Sequence, residues 1–347
     1  MATRSTRPVA VAPDTSGGAR SRLRIGVLST ANIAVSKVIP GMRRSALVDV
    51  VAIASRDVGR AETVARELAI PRTHGSYEAL LGDAEVDAVY IPLPNHLHAE
   101  WAIAALRAGK AVLCEKPIAM TADEAQGMVD VAQETRVPLM EAFMYRQHPS
   151  WVAVRELVAS GRIGRLRAVD SWFSYYNDDP GNIRNIGEFG GGALYDIGCY
   201  TINLSRMLFG GEPDEVLGRV VRDPALGVDV LTSAILGFGE GTATFTVSTR
   251  VETDQRVHLY GDRGRIAVDI PFNIPPDRPT RVRVIAGGEP PVAPGEDVLE
   301  FATADPYAAE VDAFAAAVLD GRPVPVPPED AVANLRIIER VFAVGGR

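Results

Sequence analysis

The stretch Leu23-Arg-Ile-Gly-Val-Leu28, followed directly by Ser29-Thr-Ala-Asn-Ile-Ala34, decides the fold. Its first six residues are a short apolar run typical of a buried strand. The next six form a turn that leads into a helix predicted from Ile33 to about Arg43. A buried strand, a tight turn and a helix in this order are the first unit of a parallel sheet.

The same alternation of strand and helix continues to residue 145. Further apolar strands are predicted at Val48–Ala54, Val86–Pro92, Ala111–Cys114 and Val137–Glu141. The segment Thr121-Ala-Asp-Glu124 is a capping box that starts the helix before the last of them. Strands separated by helices predict α/β structure, namely a Rossmann-type, doubly wound parallel sheet.

After about residue 146 the pattern changes to strands that alternate apolar and polar residues, as in Ala243-Thr-Phe-Thr-Val-Ser248. Alternation of this kind is typical of an antiparallel sheet with one solvated face. We therefore predict a second, α+β part with an open, mainly antiparallel sheet. The predicted divisions are a disordered arm at 1–21, a dinucleotide-binding domain at 22–145, and a substrate-binding and oligomerisation domain at 146–347. The alternative for the arm is that it wraps around an oligomer.

Composition excludes several classes of function. The 347 residues carry a formal net charge of −8, which argues against a partner among nucleic acids or acidic membranes. Two distant cysteines make no disulfide framework, and five histidines without metal-ligand spacing predict no metal site. No run approaches the roughly 20 apolar residues of a membrane span, and the N-terminal segment lacks the apolar stretch of a signal peptide. We expect a cytoplasmic protein.

The turn after the first strand is a candidate dinucleotide site. Small residues, Ser29, Ala31 and Ala34, stand where the glycines of G-x-G-x-x-G would be. Close approach of a pyrophosphate to the backbone is therefore retained. The alternative is an ordinary tight turn. The residues predicted to contact the cofactor here are Ser29, Thr30, Ala31, Asn32 and Ile33.

The end of the second strand normally selects between NAD and NADP. An acidic residue there would hold the ribose 2′-hydroxyl, but the sequence has Ser55 and Arg56. A hydroxyl and a guanidinium both suit a 2′-phosphate, which favours NADP(H) and leaves NAD(H) as the alternative. The competing interpretation is an exposed Arg56 followed by a helix-capping Asp57.

Two later strand ends add candidates for the same crevice. The third predicted strand ends in Ile91-Pro-Leu-Pro-Asn-His-Leu-His98, where rigid prolines and an asparagine suit a loop that borders a ligand. The next ends in Glu115-Lys116-Pro117. From these ends we predict cofactor contacts for Pro92, Leu93, Asn95, His98, Glu115 and Lys116.

A lysine, an aspartate and a tyrosine form a candidate proton-transfer site. Lys116 lies at a strand end, and Asp196 and Tyr200 are four residues apart, which places them on one face of a helix. These three side chains can converge on one proton-transfer site, and together with the candidate dinucleotide turn they suggest an oxidoreductase.

The chain resembles the large family of glucose–fructose oxidoreductase, inositol dehydrogenase and rhizopine catabolism proteins (Gfo/Idh/MocA). The segments that carry the resemblance are Ile25–Ala34, Ala52–Arg56, Asp87–His98, Ala108–Pro117 and Gly190–Tyr200. Tyr200 at the last motif position resembles the branch that contains aldose (xylose) 1-dehydrogenase and dihydrodiol dehydrogenase. The resemblance implies a nucleotide-binding domain plus an open sheet domain, and association as a homodimer or homotetramer.

With this resemblance, the predicted reaction is hydride transfer between a nicotinamide and a carbon of a small sugar. Tyr200 is predicted to be the acid/base, with its pKa lowered by Lys116, while Asp196 orients the lysine or binds a sugar hydroxyl. The rival assignment makes Lys116 the proton carrier and Tyr200 a positioning group. Further candidates near the domain junction and in a polar loop are Arg146 for the cofactor, and Tyr145, His148, Tyr176 and Arg184 for the sugar.

The leading functional hypothesis is an NADP-dependent aldose 1-dehydrogenase that acts on D-xylose or D-glucose. Alternatives within the family are a nucleotide-linked deoxy-ketosugar reductase, a dihydrodiol dehydrogenase, and an enzyme that never releases its nucleotide. A different class is a non-catalytic, nucleotide-sensing regulator, for which the presence of Lys116, Asp196 and Tyr200 is unfavourable.

Overall fold

The computed structural model describes residues 22–287 and 296–346, and within them two β-sheets follow one another along the chain. The first sheet uses strands between residues 23 and 142, and the second uses strands between residues 166 and 301. The arm expected at 1–21 lies outside the described residues. The domain limits at 22–145 and 146–347 stay a prediction.

Six strands form the first sheet, and their bounds are β1 (Leu23–Leu28), β2 (Val48–Ala54), β3 (Arg72–His74), β4 (Ala88–Ile91), β5 (Ala111–Glu115) and β6 (Leu139–Ala142). Their spatial order is β3-β2-β1-β4-β5-β6, and every neighbouring pair is parallel. The predicted doubly wound parallel sheet is confirmed. Because the order reverses between β1 and β4, ligands are expected outside the carboxyl ends of these strands.

Helices cover the faces of this sheet, so a central strand such as β4 is buried along its whole length. They are α1 (Ile39–Met42), preceded by a π-helical turn (Ala34–Val38), then α2 (Val58–Glu67), α3 (Tyr77–Leu81), α4 (His98–Arg107) and α5 (Ala122–Thr135). The predicted cap of α5 is confirmed, since the Thr121 hydroxyl accepts the N–H of Glu124 at 3.1 Å. In return the Glu124 carboxylate accepts the N–H of Met120 at 2.9 Å.

Eight strands form the second sheet, and their bounds are β7 (Leu166–Tyr176), β8 (Glu215–Arg222), β9 (Asp229–Phe238), β10 (Gly241–Ser248), β11 (Arg250–Gly261), β12 (Gly264–Val268), β13 (Thr280–Ala286) and β14 (Glu296–Phe301). Their order is β14-β13-β12-β11-β7-β10-β9-β8. Only the β7–β10 pair is parallel among these neighbours, so the mainly antiparallel sheet is confirmed. On β10 the side chains of Ala243, Phe245 and Val247 are buried, as the alternation predicts.

Helices of the second part connect the two sheets. They are α6 (Pro149–Ala159), α7 (Cys199–Phe209), α8 (Pro306–Leu319) and α9 (Glu329–Gly345). Helix α8 packs on α1, and α9 packs on both α5 and β8. Across residues 22–287 and 296–346, none of the helices has the length and apolar character that a bilayer crossing needs.

Candidate active site

A cavity of about 640 Å³ opens at the carboxyl ends of the first sheet and is closed on its other side by residues of the second part. This volume lies within the range usual for small-molecule sites. Several residues predicted from sequence line it together: Ala31, Asn32, Ile33, Pro92, Leu93, Asn95, Glu115, Lys116, Arg184, Asp196 and Tyr200.

The turn after β1 keeps the backbone geometry of a dinucleotide site without its glycines. Ser29 has φ of 132°, in the region that favours glycine, and it stands at the first glycine position of the motif. Ala34 is fully buried at the third position. A strained residue held at such a turn is a sign of a functional constraint. The turn therefore fits a pyrophosphate beside its backbone, at the start of the helical segment.

The end of β2 carries the two side chains predicted to contact a 2′-phosphate. Ser55 is buried, with its hydroxyl accepting the N–H of Asp57 at 3.2 Å, while Arg56 is exposed. The Asp57 carboxylate accepts the N–H of Arg60 at 3.2 Å and so caps α2. Both features of the competing interpretation are present. Because the Asp57 carboxylate is engaged as the cap of α2, it leaves Arg56 to a bound anion.

Lys116 is held at the end of β5 by Asp196. Its Nζ donates to the Asp196 backbone oxygen at 2.7 Å and lies 3.3 Å from the carboxylate Oδ1. Burial opposes the charged form of Lys116, but the acidic groups around it, with Asp196 the strongest, together outweigh burial and raise the pKa of this amine above its usual value. Lys116 is therefore an ammonium ion at neutral pH.

Asp196 binds three side chains at once. Its Oδ2 accepts from the Tyr175 hydroxyl at 2.5 Å and from Arg184 Nε at 3.0 Å. Burial alone would raise the pKa of Asp196, yet the Arg184 and Lys116 cations hold it well below its usual range. Lys116, Tyr175, Arg184 and Asp196 are named here the Asp196 cluster.

Tyr200 meets Lys116 with its ring rather than with its hydroxyl. The lysine Nζ lies 4.9 Å from the ring centroid, a cation–π arrangement, and the phenol donates to the Met144 sulfur at 3.5 Å. Burial, reinforced by the charge of Glu115, raises the pKa of Tyr200 well above its usual value. The expectation that Lys116 lowers the pKa of Tyr200 is therefore wrong.

Tyr200 turns its ring rather than its hydroxyl toward Lys116 because the helix that carries it changes type locally. Residues Leu194–Gly198 form a π-helical turn before α7, so Asp196 and Tyr200 do not have the offset of a regular α-helix. Asp196 reaches the lysine, whereas the Tyr200 side chain lies beneath it. Sequence spacing alone does not reveal such a turn.

Hydrogen bonds to the neighbouring strands β4 and β6 fix the Glu115–Ile118 segment that carries Lys116. The Glu115 carboxylate accepts from the Tyr90 hydroxyl at 2.6 Å, and the buried Glu141 accepts the N–H of Ile118 at 2.9 Å. Burial raises the pKa of Glu141 to about 8, so this carboxyl is mostly neutral at pH 7. These bonds set the direction in which Lys116 enters the cavity.

His98, predicted to contact the cofactor, is buried away from the cavity. Its ring nitrogens lie 2.9 Å from the Pro117 oxygen and 2.7 Å from the Leu93 oxygen. Burial lowers the pKa of His98 to about 4, whereas the two carbonyl contacts favour the protonated ring, because a neutral imidazole can donate to only one of them. His98 therefore connects the loop at Leu93 with the loop at Pro117, both of which follow strands that end at the cavity.

Three further residues that were predicted to contact cofactor or sugar instead make polar contacts inside the protein. The Tyr145 hydroxyl donates to Asn203 at 2.7 Å, and Arg146 forms an ion pair with Asp330 at 2.9 Å. His148 Nδ1 accepts the N–H of Ser150 at 3.2 Å and caps α6. Tyr145, Arg146 and His148 line a buried junction instead of the cavity, because the strand end that carries them turns inward.

Tyr176, predicted to contact the sugar, lies outside the cavity, and its neighbour Tyr175 lines the cavity. Successive residues of β7 point to opposite faces, so Phe173 and Tyr175 face the cavity while Tyr176 is 61% exposed. The alternation of β7 could have identified Tyr175 from sequence. Other lining residues adjoin the predicted segments, namely Ser36, Lys37, Met144 and Asn177, whereas Asn273 and Tyr307 come from distant segments without a sequence signal.

Asn95 connects the two walls of the cavity. Its Nδ2 donates to the Gly190 oxygen at 2.9 Å. Gly190 has φ of 78°, and a Cβ there would lie 2.9 Å from the Asn95 Cβ and 2.5 Å from the Met120 sulfur. Only glycine permits this close approach.

A dinucleotide turn facing a buried lysine–aspartate pair defines a nicotinamide-dependent oxidoreductase. The family model described as an oxidoreductase family with an NAD-binding Rossmann fold matches residues 23–143, and the GFO/IDH/MocA C-terminal domain matches residues 151–267. The chain belongs to the Gfo/Idh/MocA family of oxidoreductases. The predicted family and nicotinamide cofactor are thereby confirmed.

Similar proteins act on sugars. A D-xylose 1-dehydrogenase (NADP⁺) from Haloferax volcanii is 40% identical over 92% of this chain and 96% of its own length. A dTDP-3,4-didehydro-2,6-dideoxy-α-D-glucose 3-reductase from Streptomyces violaceoruber is 36% identical over 93% and 94%. The crystal structure of a 3-ketoreductase from Actinomadura kijaniata with NADP and TDP-benzene has a TM-score of 0.84 at 32% identity, covering 93% of this chain and 98% of its own. Sugar oxidoreductase activity is thus the common property of these relatives.

Proposed function

We propose that this protein is an NADP-dependent oxidoreductase that oxidises an aldose such as D-xylose or D-glucose at C1. The observation that carries the proposal is the 2.7 Å bond that holds Lys116 Nζ in the cavity wall, opposite the dinucleotide turn. The 40% identity to an NADP-dependent D-xylose 1-dehydrogenase supports the choice of substrate.

When bound, the nicotinamide supplies the acceptor or donor of the hydride. Lys116 hydrogen-bonds the reacting sugar oxygen through Nζ and carries its proton. This role follows the rival assignment, because the phenol of Tyr200 points toward Met144 while its ring lies beneath the ammonium. Asp196 orients the lysine through its carboxylate. For sugar oxidation Lys116 must first lose a proton, so that its neutral amine can accept the proton of the sugar hydroxyl.

The choice of NADP over NAD rests on Ser55 and Arg56. The buried hydroxyl and exposed guanidinium suit a 2′-phosphate, and the neighbouring Asp57 is used as a helix cap. The NADP dependence of the Haloferax relative supports the same choice.

The test is the absorbance of the reduced nicotinamide in mixtures of protein, NADP or NAD, and a panel of aldoses. A rise with NADP and one aldose supports both parts of the proposal. A rise only with NAD keeps the enzyme and rejects the phosphate site at Ser55 and Arg56. If cofactor binds but absorbance stays constant with every free sugar, aldose oxidation is rejected.

A second candidate is reduction of a nucleotide-linked ketosugar. The raised pKa of Lys116 favours it, because an ammonium is ready to donate a proton to a carbonyl oxygen as hydride arrives. The reductases among the relatives support this candidate. Consumption of NADPH with a dTDP-linked ketosugar, without activity on free aldoses, would select it.

We also propose a homodimer or homotetramer in the cytoplasm. The outer face of the second sheet exposes half of the Leu217 side chain and 46% of Ile235. An apolar sheet face of this kind is suited to self-association. Sedimentation equilibrium measures the assembly directly, and a monomer at micromolar concentration rejects it.

A further inference from the structure

Lys37 is a cation in the cavity without an acidic partner among residues 22–287 and 296–346. It lies in the π-helical turn that precedes α1, is exposed, and lines the 640 Å³ cavity. The other two cations of the cavity, Lys116 and Arg184, both form ion pairs with Asp196. Lys37 therefore contributes a positive charge that the described protein does not balance.

A second cavity of about 290 Å³ adjoins the first on the side of Lys37. The two share part of their walls, namely Ser36, Lys37, Met144, Asn273 and Tyr307. A ligand group that extends past Lys37 from the reacting centre would enter this second cavity.

Asp305, the one carboxylate among the described residues that line the smaller cavity, is engaged by partners other than Lys37. Asp305 forms an ion pair with Arg44 and caps α8 by accepting the N–H of Tyr307 at 2.9 Å. Prolines, including Pro40 and Pro275, form much of the remaining wall. The cavity is thus rigid, with Lys37 as its unpaired charge.

We propose that Lys37 and the smaller cavity form a subsite for an anionic substituent, a phosphate or carboxylate, carried by the sugar substrate. The inference rests on the proposed function, because it assumes a sugar at Lys116. A ligand anion beside Lys37 gains a charge-assisted hydrogen bond in a site partly shielded from water. Asn273 lines both cavities, and its side-chain amide can donate a further hydrogen bond to an oxygen of the anion.

Isothermal titration of the NADP-loaded protein with D-glucose and with D-glucose 6-phosphate tests the subsite. We expect the phosphate ester to bind at least about tenfold more tightly, which corresponds to roughly 1.4 kcal/mol. Lys37→Met should remove this difference and leave the affinity for D-glucose unchanged. Lys37→Arg should restore most of it. Arg43→Met is the matched control, since Arg43 is exposed on the same helical segment and lines neither cavity.

Equal affinity of the wild-type protein for the two sugars, together with no Lys37-dependent binding of TDP, overturns the proposal. So does a loss of NADP affinity in Lys37→Met, because Lys37 would then bind the phosphates of the cofactor. Titration with TDP distinguishes the source of the anion: binding of TDP but not of the 6-phosphate, lost in Lys37→Met, identifies a nucleotide-linked sugar. Turnover is measured separately, so Lys37-dependent binding without aldose oxidation rejects the proposed activity and keeps the subsite.

Discussion

Two regions border the same cavity, the turn Ser29–Ile33 and the Asp196 cluster. The turn is made by the backbone, with Ser29 at φ of 132° and small residues around it. The cluster is made by side chains, with one carboxylate that binds a lysine, an arginine and a tyrosine. One region presents peptide N–H groups, and the other presents charge.

This difference separates what substitutions will do. Changes in the turn act through backbone conformation, and so they affect stability and cofactor binding. Changes in the cluster alter the charge around Lys116, and so they affect proton transfer and its dependence on pH. Four substitutions test this division.

The largest effect is expected for Lys116→Ala. Loss of the proton carrier should lower kcat by about 10²- to 10⁴-fold, the usual contribution of a general acid or base. NADP affinity, measured by fluorescence titration, should change little because the turn is untouched. Arg43→Ala is the control. A near-normal kcat in Lys116→Ala would reject Lys116 as the proton carrier.

Asp196→Asn should shift the pH profile of sugar oxidation toward lower pH. Oxidation requires the neutral amine of Lys116, whose pKa is raised in the folded protein by the Asp196 carboxylate. Removing that carboxylate takes away the largest influence that raises the pKa of Lys116, while burial and the Arg184 charge still lower it against Glu115 and Cys199. The rise of kcat/KM with pH should therefore begin at a lower pH than in the wild-type protein. Asp254→Asn, at an exposed position, is the control, and an unshifted profile contradicts the assigned coupling.

The two regions also differ in how far sequence predicts them. The turn is local: one strand, small residues and a following helix specify it, so Ala31, Asn32 and Ile33 were placed in the cavity from the sequence. The cluster depends on a π-helical turn at Leu194–Gly198 and on which residues of β7 face inward.

The errors have the same origin. Tyr175 rather than Tyr176 reaches Asp196 because strand residues alternate between faces. Tyr145 and His148 follow a strand end, as cavity residues do, but bond inside the protein. Strands β3 and β14 were not predicted, since short edge strands with polar residues lack an apolar run. Contacts between distant segments, such as Tyr307 in the cavity wall, have no local pattern.

Tyr200→Phe should have a small effect. The ring that lies under Lys116 is retained, and only the hydrogen bond to the Met144 sulfur is lost. We expect kcat within about tenfold of the wild-type value, below the usual cost of a lost general acid. Tyr200→Leu, which removes the ring as well, should reduce kcat further. If Tyr200→Phe instead loses activity as severely as Lys116→Ala, the phenol carries the proton.

The smallest effect is expected for Ser29→Gly, and it should be a gain in stability. A non-glycine residue in this region of φ costs about 1–3 kcal/mol, partly offset because glycine loses about 0.4–1 kcal/mol more entropy on folding. The net gain in free energy of unfolding is therefore about 1 kcal/mol, or about 2 °C in Tm. Ser29→Ala keeps the unfavourable φ and should show no gain, which separates backbone strain from loss of the hydroxyl. Because a glycine at this position would adopt the same turn, NADP affinity should stay within about threefold, a change under 1 kcal/mol. Destabilisation by Ser29→Gly would mean that the serine side chain, and not the backbone, holds the turn, which would remove the distinction between the two regions.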